Sequence, residues 1–540
     1  MADLHLVVDR SAGGVAAQIA RELREAVRRG RLAAGVRLPA SRELARDLGL
    51  SRGVVVEAYE QLVAEGFLIS RIGAGTTVAP AASRPALPAF LENLDDSGAP
   101  GDPGKPSDPG DPSRTREDPR RAAKARGREA GAHGREAEAR GGEAEARGGE
   151  REREPYHGRR STAPDLAAFP RERWLASMRR TLAALPADAL DYGDPGGVPA
   201  LREELAAYLG RVRAADVGPD NLVIVGGVAQ GISLTIQALA GRLPRGRSPH
   251  DLGWFVRRAA RPAPSPGRIR LAVEDPTGGR QLPLLHAAGA DLVAVPVDDE
   301  GIDVRALAAT GARAVLLTPA HQYPTGVVLS PRRRAELIEW AAGTGAAILE
   351  DDYDAEFRFD RDPVGCLQGL AADRVILVGS VSKSLAPGLR LGWVAAPPEI
   401  AESLRLARGE LDLGSPVLEQ YVLADFVTTG GYDRHLRRMR REYRARRDAL
   451  AVALGEHLPE ITVRGVSAGL HLLAELPYGW DEAAVAETAR ERGLAVEPVG
   501  PMRHAPGPPA LVVGFARLPA RRADATIRAL ADALRRRPAP

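Results

Sequence analysis

Cysteine is almost absent from this 540-residue chain: Cys366 is the only one. No intrachain disulfide can form, and a reducing compartment fits. Aromatic residues are scarce at 4%, so the core must be built mainly from Ala, Leu and Val. No apolar run approaches the ~20 residues that a membrane span needs, and residues 1–20 lack the apolar core of a signal peptide. The chain reads as cytoplasmic, with no membrane partner. Its net charge is only +3, so any case for nucleic-acid binding has to rest on a local motif. The sharpest shortage is lysine. Of 74 basic side chains only Lys105, Lys124 and Lys383 are lysine. Two of these lie in low-complexity sequence, which leaves Lys383 alone in a segment with the pattern of a fold. Arginine replaces lysine as a surface charge. It does not replace a lysine that must lose a proton and attack a carbonyl.

Three regions differ in pattern. Residues 1–80 contain a compact helical unit ending in a hairpin. Residues 81–160 are rich in Pro, Gly, Asp, Arg and Glu, with an imperfect Glu-Ala-Glu-Ala-Arg-Gly-Gly repeat, and read as a disordered low-complexity linker. Residues 161–540 alternate short apolar strands (222–225, 269–273, 292–297, 314–317, 346–349 and 375–378) with helical stretches. This is the α/β pattern of a mostly parallel sheet covered on both faces. Residues 241–267 read as a loop insertion.

In the first region, Ile19, Leu23 and Val27 mark one amphipathic helix. Ser41 is the expected N-cap of a second helix running to about Leu48. Ser51 is the expected cap of a third, Arg52 to about Glu65. Two short helices joined by a glycine turn form a helix-turn-helix. Phe67–Ile69, a Gly73–Gly75 turn and Thr76–Val78 follow as a wing. Arg52, with Gly53 beside it, stands where the second helix of such a unit meets base edges, and Arg42 opens the helix before it. An isolated arginine is more often a solvated charge, but arginine at these positions suits phosphate or guanine. The run LPASRELARDLGLSRGVVVEAYEQLVAEGFLISRIGAGT resembles the GntR-family winged helix over residues 13–79. The resemblance implies contact with double-stranded operator DNA through Arg42, Ser51, Arg52, Gly53 and the wing around Gly75.

In the third region, Lys383 lies in Ser380-Val381-Ser382-Lys383, seven residues before Arg390. Small hydroxyls and a guanidinium suit a phosphate dianion, and an amine desolvated in that positive field is suited to Schiff-base chemistry. Upstream, Glu350-Asp351-Asp352-Tyr353-Asp354 ends a strand, where the ligand crevice of an open α/β sheet lies. A carboxylate there can pair with a protonated pyridine nitrogen. A solvated acidic loop or a metal site is the alternative, and metal is disfavoured because no His or Cys lies nearby in sequence. Gly226-Gly227-Val228 opens a helix after a strand, a common arrangement that can also bind phosphate.

Together with Tyr192-Gly193-Asp194-Pro195 and Pro324-Thr325-Gly326, these pieces resemble fold-type-I pyridoxal-phosphate enzymes of the aspartate aminotransferase class over about residues 161–530. The resemblance implies pyridoxal 5′-phosphate held as an aldimine by Lys383. It implies Asp351 on the ring nitrogen, Tyr353 on the phenolic oxygen, and Ser380, Ser382, Arg390, Gly227 and Val228 around the phosphate. It gives Tyr323 the place of an asparagine that usually bonds the cofactor. Tyr192 would reach the phosphate of a partner subunit, hence a homodimer. A GntR head on an aminotransferase body resembles MocR-type regulators, which implies a transcription regulator responding to pyridoxal phosphate or to an amino-acid or amine effector. An aminotransferase that also binds DNA is the alternative. Gly278 and Val512 stand where transaminases often carry a ring-stacking aromatic and a carboxylate-binding arginine. These departures favour a sensor that retains weak transaminase activity at most.

Overall fold

The computed structural model describes residues 6, 8–11, 14–71, 75–80, 160–243, 267–359 and 365–536. The expected linker up to residue 159, the wing turn at Gly73 and Ala74, and residues 244–266 of the expected loop insertion lie outside the described residues.

The N-terminal head contains α1 (Val15–Arg28), α2 (Ser41–Asp47) and α3 (Arg52–Glu65), then β1 (Leu68–Arg71) and β2 (Gly75–Val78). The four-residue spacing of Ile19, Leu23 and Val27 puts them on one face of α1, where they pack on Val55, Ala58 and Leu62 of α3. Gly66, at φ 90°, ends α3 in the left-handed conformation that glycine adopts without steric cost. β1 and β2 pair antiparallel, Leu68 opposite Val78. The start of α2 differs from expectation. Ala40 is the N-cap and Ser41 the first helical residue. Alanine has no side-chain oxygen to offer, so the Glu43 carboxylate instead accepts from the Ala40 N–H at 3.1 Å. Ser51 does cap α3, although its hydroxyl makes no hydrogen bond to the helix.

The body is built on an eight-stranded sheet: β3 (Leu222–Val225), β4 (Ile269–Asp275), β5 (Ala290–Asp298), β6 (Gly301–Ile302), β7 (Ala314–Leu317), β8 (Ala347–Asp352), β9 (Val375–Ser380) and β10 (Gly392–Ala395), in the order β3-β10-β9-β8-β7-β4-β5-β6. From β5 through β9 the neighbours run parallel. Helices cover both faces, and β7 and β9 are buried along their whole length. This accounts for their uninterrupted apolar sequence. A smaller antiparallel sheet of β11 (Thr462–Arg464), β12 (His471–Glu475), β13 (Ala495–Pro498) and β14 (Ala510–Gly514) follows, in the order β11-β12-β14-β13. Three further helices matter below: α4 (Arg171–Ala184), α5 (Val228–Leu239) and α6 (Gly431–His457).

The head rests directly on the body. The Arg28 guanidinium donates to the carbonyls of Gly369 (3.0 Å) and Ala214. Leu370 packs into the head's own core. Arg24 and Glu65 form a buried ion pair at 2.7 Å just above this seam, and Phe67 lies under both Arg24 and Arg28. The start of α3, at Arg52 and Gly53, is exposed.

Candidate functional site

Lys383 sits in the turn after β9, and its Nζ donates to both the carbonyl and the hydroxyl of Thr162, each at 3.0 Å. Burial lowers the amine's pKa below that of an ordinary lysine, with Asp354 opposing and Arg160 adding to the shift. Asp351, near the end of β8, is buried, and burial followed by the neighbouring charge of Asp352 pushes its carboxyl up to about 7. Its Oδ1 has no hydrogen-bond partner. A buried acceptor left unpaired costs about 1–3 kcal/mol, so this oxygen marks the place for a donor that enters the site, as a protonated pyridine nitrogen would. The neighbours of Asp351 are engaged elsewhere. Asp352 binds Arg213 at 2.7 Å, and Glu350 accepts from the N–H groups of Leu367 and Gln368.

The phosphate-binding residues expected from the sequence converge in space. Gly227 caps the N-terminus of α5, with φ 106°. A Cβ added there would lie 3.0 Å from Nη2 of Arg390. The guanidinium therefore lies on the helix N-terminus, where the amides of Val228 and its successors begin. Arg390 itself adopts φ 52°, an uncommon conformation for a residue with a side chain. Ser382 N–H bonds the Ser380 hydroxyl at 3.3 Å. A helix N-terminus, a guanidinium and two small hydroxyls beside an amine match the donor set of a phosphorylated aldehyde.

Tyr353 donates to the His321 carbonyl at 3.0 Å and lies 3.2 Å from His321 Nδ1. That nitrogen is also 2.9 Å from Asp354 Oδ2. His471 packs against His321, the rings tilted by 39° with centroids 4.8 Å apart. The sequence argument against a metal is thus corrected in its premise: the fold brings two histidines beside Asp354, all three buried. However, the His321 Nδ1 is committed to Asp354 and Tyr353, and Arg213 and Arg358 line the adjoining cavity. His471 carried no sequence signal beyond its presence, and His321 only its place at the head of the run His321-Gln322-Tyr323-Pro324-Thr325-Gly326. Glu274 was also missed. It accepts from the Thr318 N–H and hydroxyl at 3.0 and 2.9 Å, and burial pushes its carboxyl up to about 7.

Tyr323 is edge-on to Tyr353 and to His471. A Cβ at Gly278 would lie 3.3 Å from the Tyr323 ring. The tyrosine therefore occupies the space that an aromatic side chain at 278 would need. Val512 is buried among Leu473, Val499 and Ala510, an apolar patch, and Arg517 is exposed. Tyr192 is 80% exposed, outside the buried cluster.

At the other end, Arg42, Ser51, Arg52 and Gly53 are all exposed, at the N-terminal ends of α2 and α3. Gly75 opens β2 at φ 84°, and a Cβ there would lie 2.9 Å from the Arg37 guanidinium. Arg37, bridged to the wing at Thr77, is an addition to the expected set. Its place in the extended Arg37-Leu38-Pro39 entry was the available signal.

Comparison with known proteins agrees with both ends. Residues 15–78 match the bacterial regulatory proteins of the gntR family, and residues 270–534 match aminotransferase class I and II. The probable rhizopine catabolism regulatory protein MocR of Rhizobium meliloti is 29% identical over 515 residues, covering 95% of this chain and 92% of that protein. The pyridoxine biosynthesis transcriptional regulator PdxR of Corynebacterium glutamicum is 30% identical over 501 residues, covering 92% and 90%. Among solved structures, the kynurenine aminotransferase of Pyrococcus horikoshii aligns with a TM-score of 0.60 and 26% identity, over 70% of this chain and 90% of that one.

Proposed function

The chain belongs to the gntR-family regulators that carry an aminotransferase class I and II domain, and from that premise we propose that it binds pyridoxal 5′-phosphate at Lys383 and adjusts its hold on an operator accordingly. The domains proposed are a DNA reader over residues 1–80, a connector over 81–160 and a cofactor-binding body over 161–540. The carrying observation is the unpartnered Oδ1 of Asp351, buried in the same pocket as the desolvated amine of Lys383. When bound, the cofactor supplies an aldehyde and an electron-withdrawing ring. Lys383 offers the nucleophile, and Asp351 keeps the ring nitrogen protonated. Tyr353 orients the phenolic oxygen, while Arg390, Ser380, Ser382, Gly227 and Val228 hold the phosphate. Tyr323 closes the pocket beside Gly278. An amino acid or amine that competes with Lys383 for the aldehyde is the effector class. Valine at 512, in an apolar patch, offers no grip on a substrate carboxylate. This favours sensing over turnover.

The exposed reading set is Arg42, Ser51, Arg52, Gly53 and Gly75, joined by Arg37. A homodimer suits it, since paired heads read paired half-sites, and Tyr192 is free to meet a partner's phosphate group. The test pairs two readouts on one sample. Protein loaded with pyridoxal phosphate should show a long-wavelength absorption band. It should also enrich a defined duplex from a random library, with an affinity that changes when the band is shifted by added amines. Enrichment indifferent to cofactor and amine overturns the sensing.

A further inference from the structure

We propose that the body carries a second DNA-contact surface of its own, a basic cleft between α4 and α6 that takes the phosphates of duplex flanking the segment read by α3. This rests on the DNA-binding reading above and extends it from the head to the aminotransferase-like body.

The cleft is lined by Arg173 of α4 and by Arg434, Arg437, Arg438, Arg440 and Arg441 of α6. None of the six has a carboxylate within ion-pair distance among the described residues. Carboxylates on the same helix are engaged elsewhere: Asp433 binds Arg211 at 3.0 Å and Glu442 binds Arg446 at 2.9 Å. Three of the cleft arginines donate to backbone carbonyls (Thr429, Ala168 and Glu356). The general use of arginine in this chain does not explain the cluster. Some exposed arginines elsewhere are paired, as Arg180 is with Asp425 and Arg528 with Asp524; here six gather in one cleft with no such pair among the described residues. Bringing like charges together at helical spacing destabilises a helix, and here it recurs along one face.

The arrangement fits a duplex. Arg434, Arg437, Arg438 and Arg441 fall at helical spacings of three and four, giving a stripe ~10 Å long. One strand of a duplex presents a charge every ~3.4 Å, so the stripe faces about three phosphates. The cleft lining is arginine alone, with no apolar side chain to enter a bilayer. It is also continuous with the head. Arg437 and Arg440 line the seam against α1 as well, opposite Arg21 and Arg24. Of the acidic groups in that seam, Glu65 is held by Arg24 and Asp433 by Arg211, leaving Glu57 of α3. A basic track therefore leads from the head onto the body.

The test uses the full chain loaded with pyridoxal phosphate and fluorescent mixed-sequence duplexes of about 15 and about 40 base pairs, the longer one spanning about four turns. Affinity is followed against NaCl. Variant R173A/R437A/R441A removes three exposed arginines that make no structural hydrogen bond, and its cofactor absorption serves as the folding control. The expected result is a salt slope shallower by about 2–3, since each lost phosphate contact removes ~0.9. Affinity for the long duplex should fall at least ~10-fold at moderate salt, with little change for the short one. The lysine counterpart R173K/R437K/R441K should recover most of the slope. An alanine variant whose titrations superpose on wild type for the long duplex overturns the proposal. R42A/R52A separates the two readings. If it abolishes binding to the short duplex while the cleft variant changes nothing, only the cleft is refuted. If wild type binds neither duplex, the DNA reading falls too.

Discussion

The two candidate sites of this protein are built in opposite ways. The DNA-reading set runs from Arg37 to Gly75, and its key arginines lie in the open, on helix ends that local sequence places. The cofactor set runs from Thr162 to Arg390 and is gathered by the parallel sheet into a pocket where burial shifts Lys383 downward and Asp351 upward. An exposed site is governed by local geometry and screened charge. A buried one is governed by desolvation, so its groups answer to pH and to one another. The two should therefore be broken by different substitutions, even though the proposed coupling lets the state of the buried site adjust the affinity of the exposed one.

The largest expected effect isolates the body. Lys383→Ala should abolish the long-wavelength absorption obtained with pyridoxal phosphate, while duplex binding measured by anisotropy persists. A band of undiminished strength in the variant would remove the lysine from its assigned role. Next, Leu23→Ala opens a cavity in the head's core, where Leu23 is fully buried, at a cost of about 2–5 kcal/mol. Thermal denaturation should show a destabilised head and lost duplex affinity, with the cofactor spectrum intact. Arg52→Ala should weaken binding to a selected duplex by about 1–3 kcal/mol if the guanidinium reads a base, and should relax sequence preference at one position. A uniform loss across sequences would reassign it to phosphate. The smallest effect concerns proton linkage. Glu274 holds a proton in the folded state up to about pH 7, against its ordinary 4.5. Its contribution to stability is full below about 4.5 and is lost as pH rises to 7. Glu274→Gln keeps an acceptor for Thr318 and should flatten the stability profile of cofactor-free protein in that window, by about 1 kcal/mol per pH unit. The reading set has no comparable buried acid, so duplex affinity of the variant should follow the wild-type pH profile.

Periodic and contiguous features were legible in the sequence. Strands 222–225 and 314–317 coincide with their expected limits, because strands buried along their whole length are written as unbroken apolar runs. β10 was not singled out, since Gly392–Ala395 is only four residues long and opens with a glycine. The α2 cap was misplaced by one residue because the Ser41 hydroxyl looked like the better acceptor, whereas Glu43 alone does the capping. The Lys383, Asp351 and Arg390 constellation was readable because each lies in a compact motif. Thr162, Glu274 and His471 were not. Their roles come from contacts across 221, 44 and 150 positions of chain, made with Lys383, Thr318 and His321, and no local pattern encodes a contact of that range.

The hold of Thr162 on Lys383 has a consequence in valence. The lysine nitrogen presently gives two hydrogens, one to the Thr162 carbonyl and one to its hydroxyl. A nitrogen joined to carbon by a double bond keeps at most one. Thr162 stands among the first described residues after the connector from the head, next to Ser161, which Glu497 fixes through two bonds of 2.9 Å. If Lys383 forms the proposed bond to the cofactor, it would have to give up one of its two hydrogen bonds to Thr162, near the start of the body, and a proposed amine effector that frees the lysine would restore it.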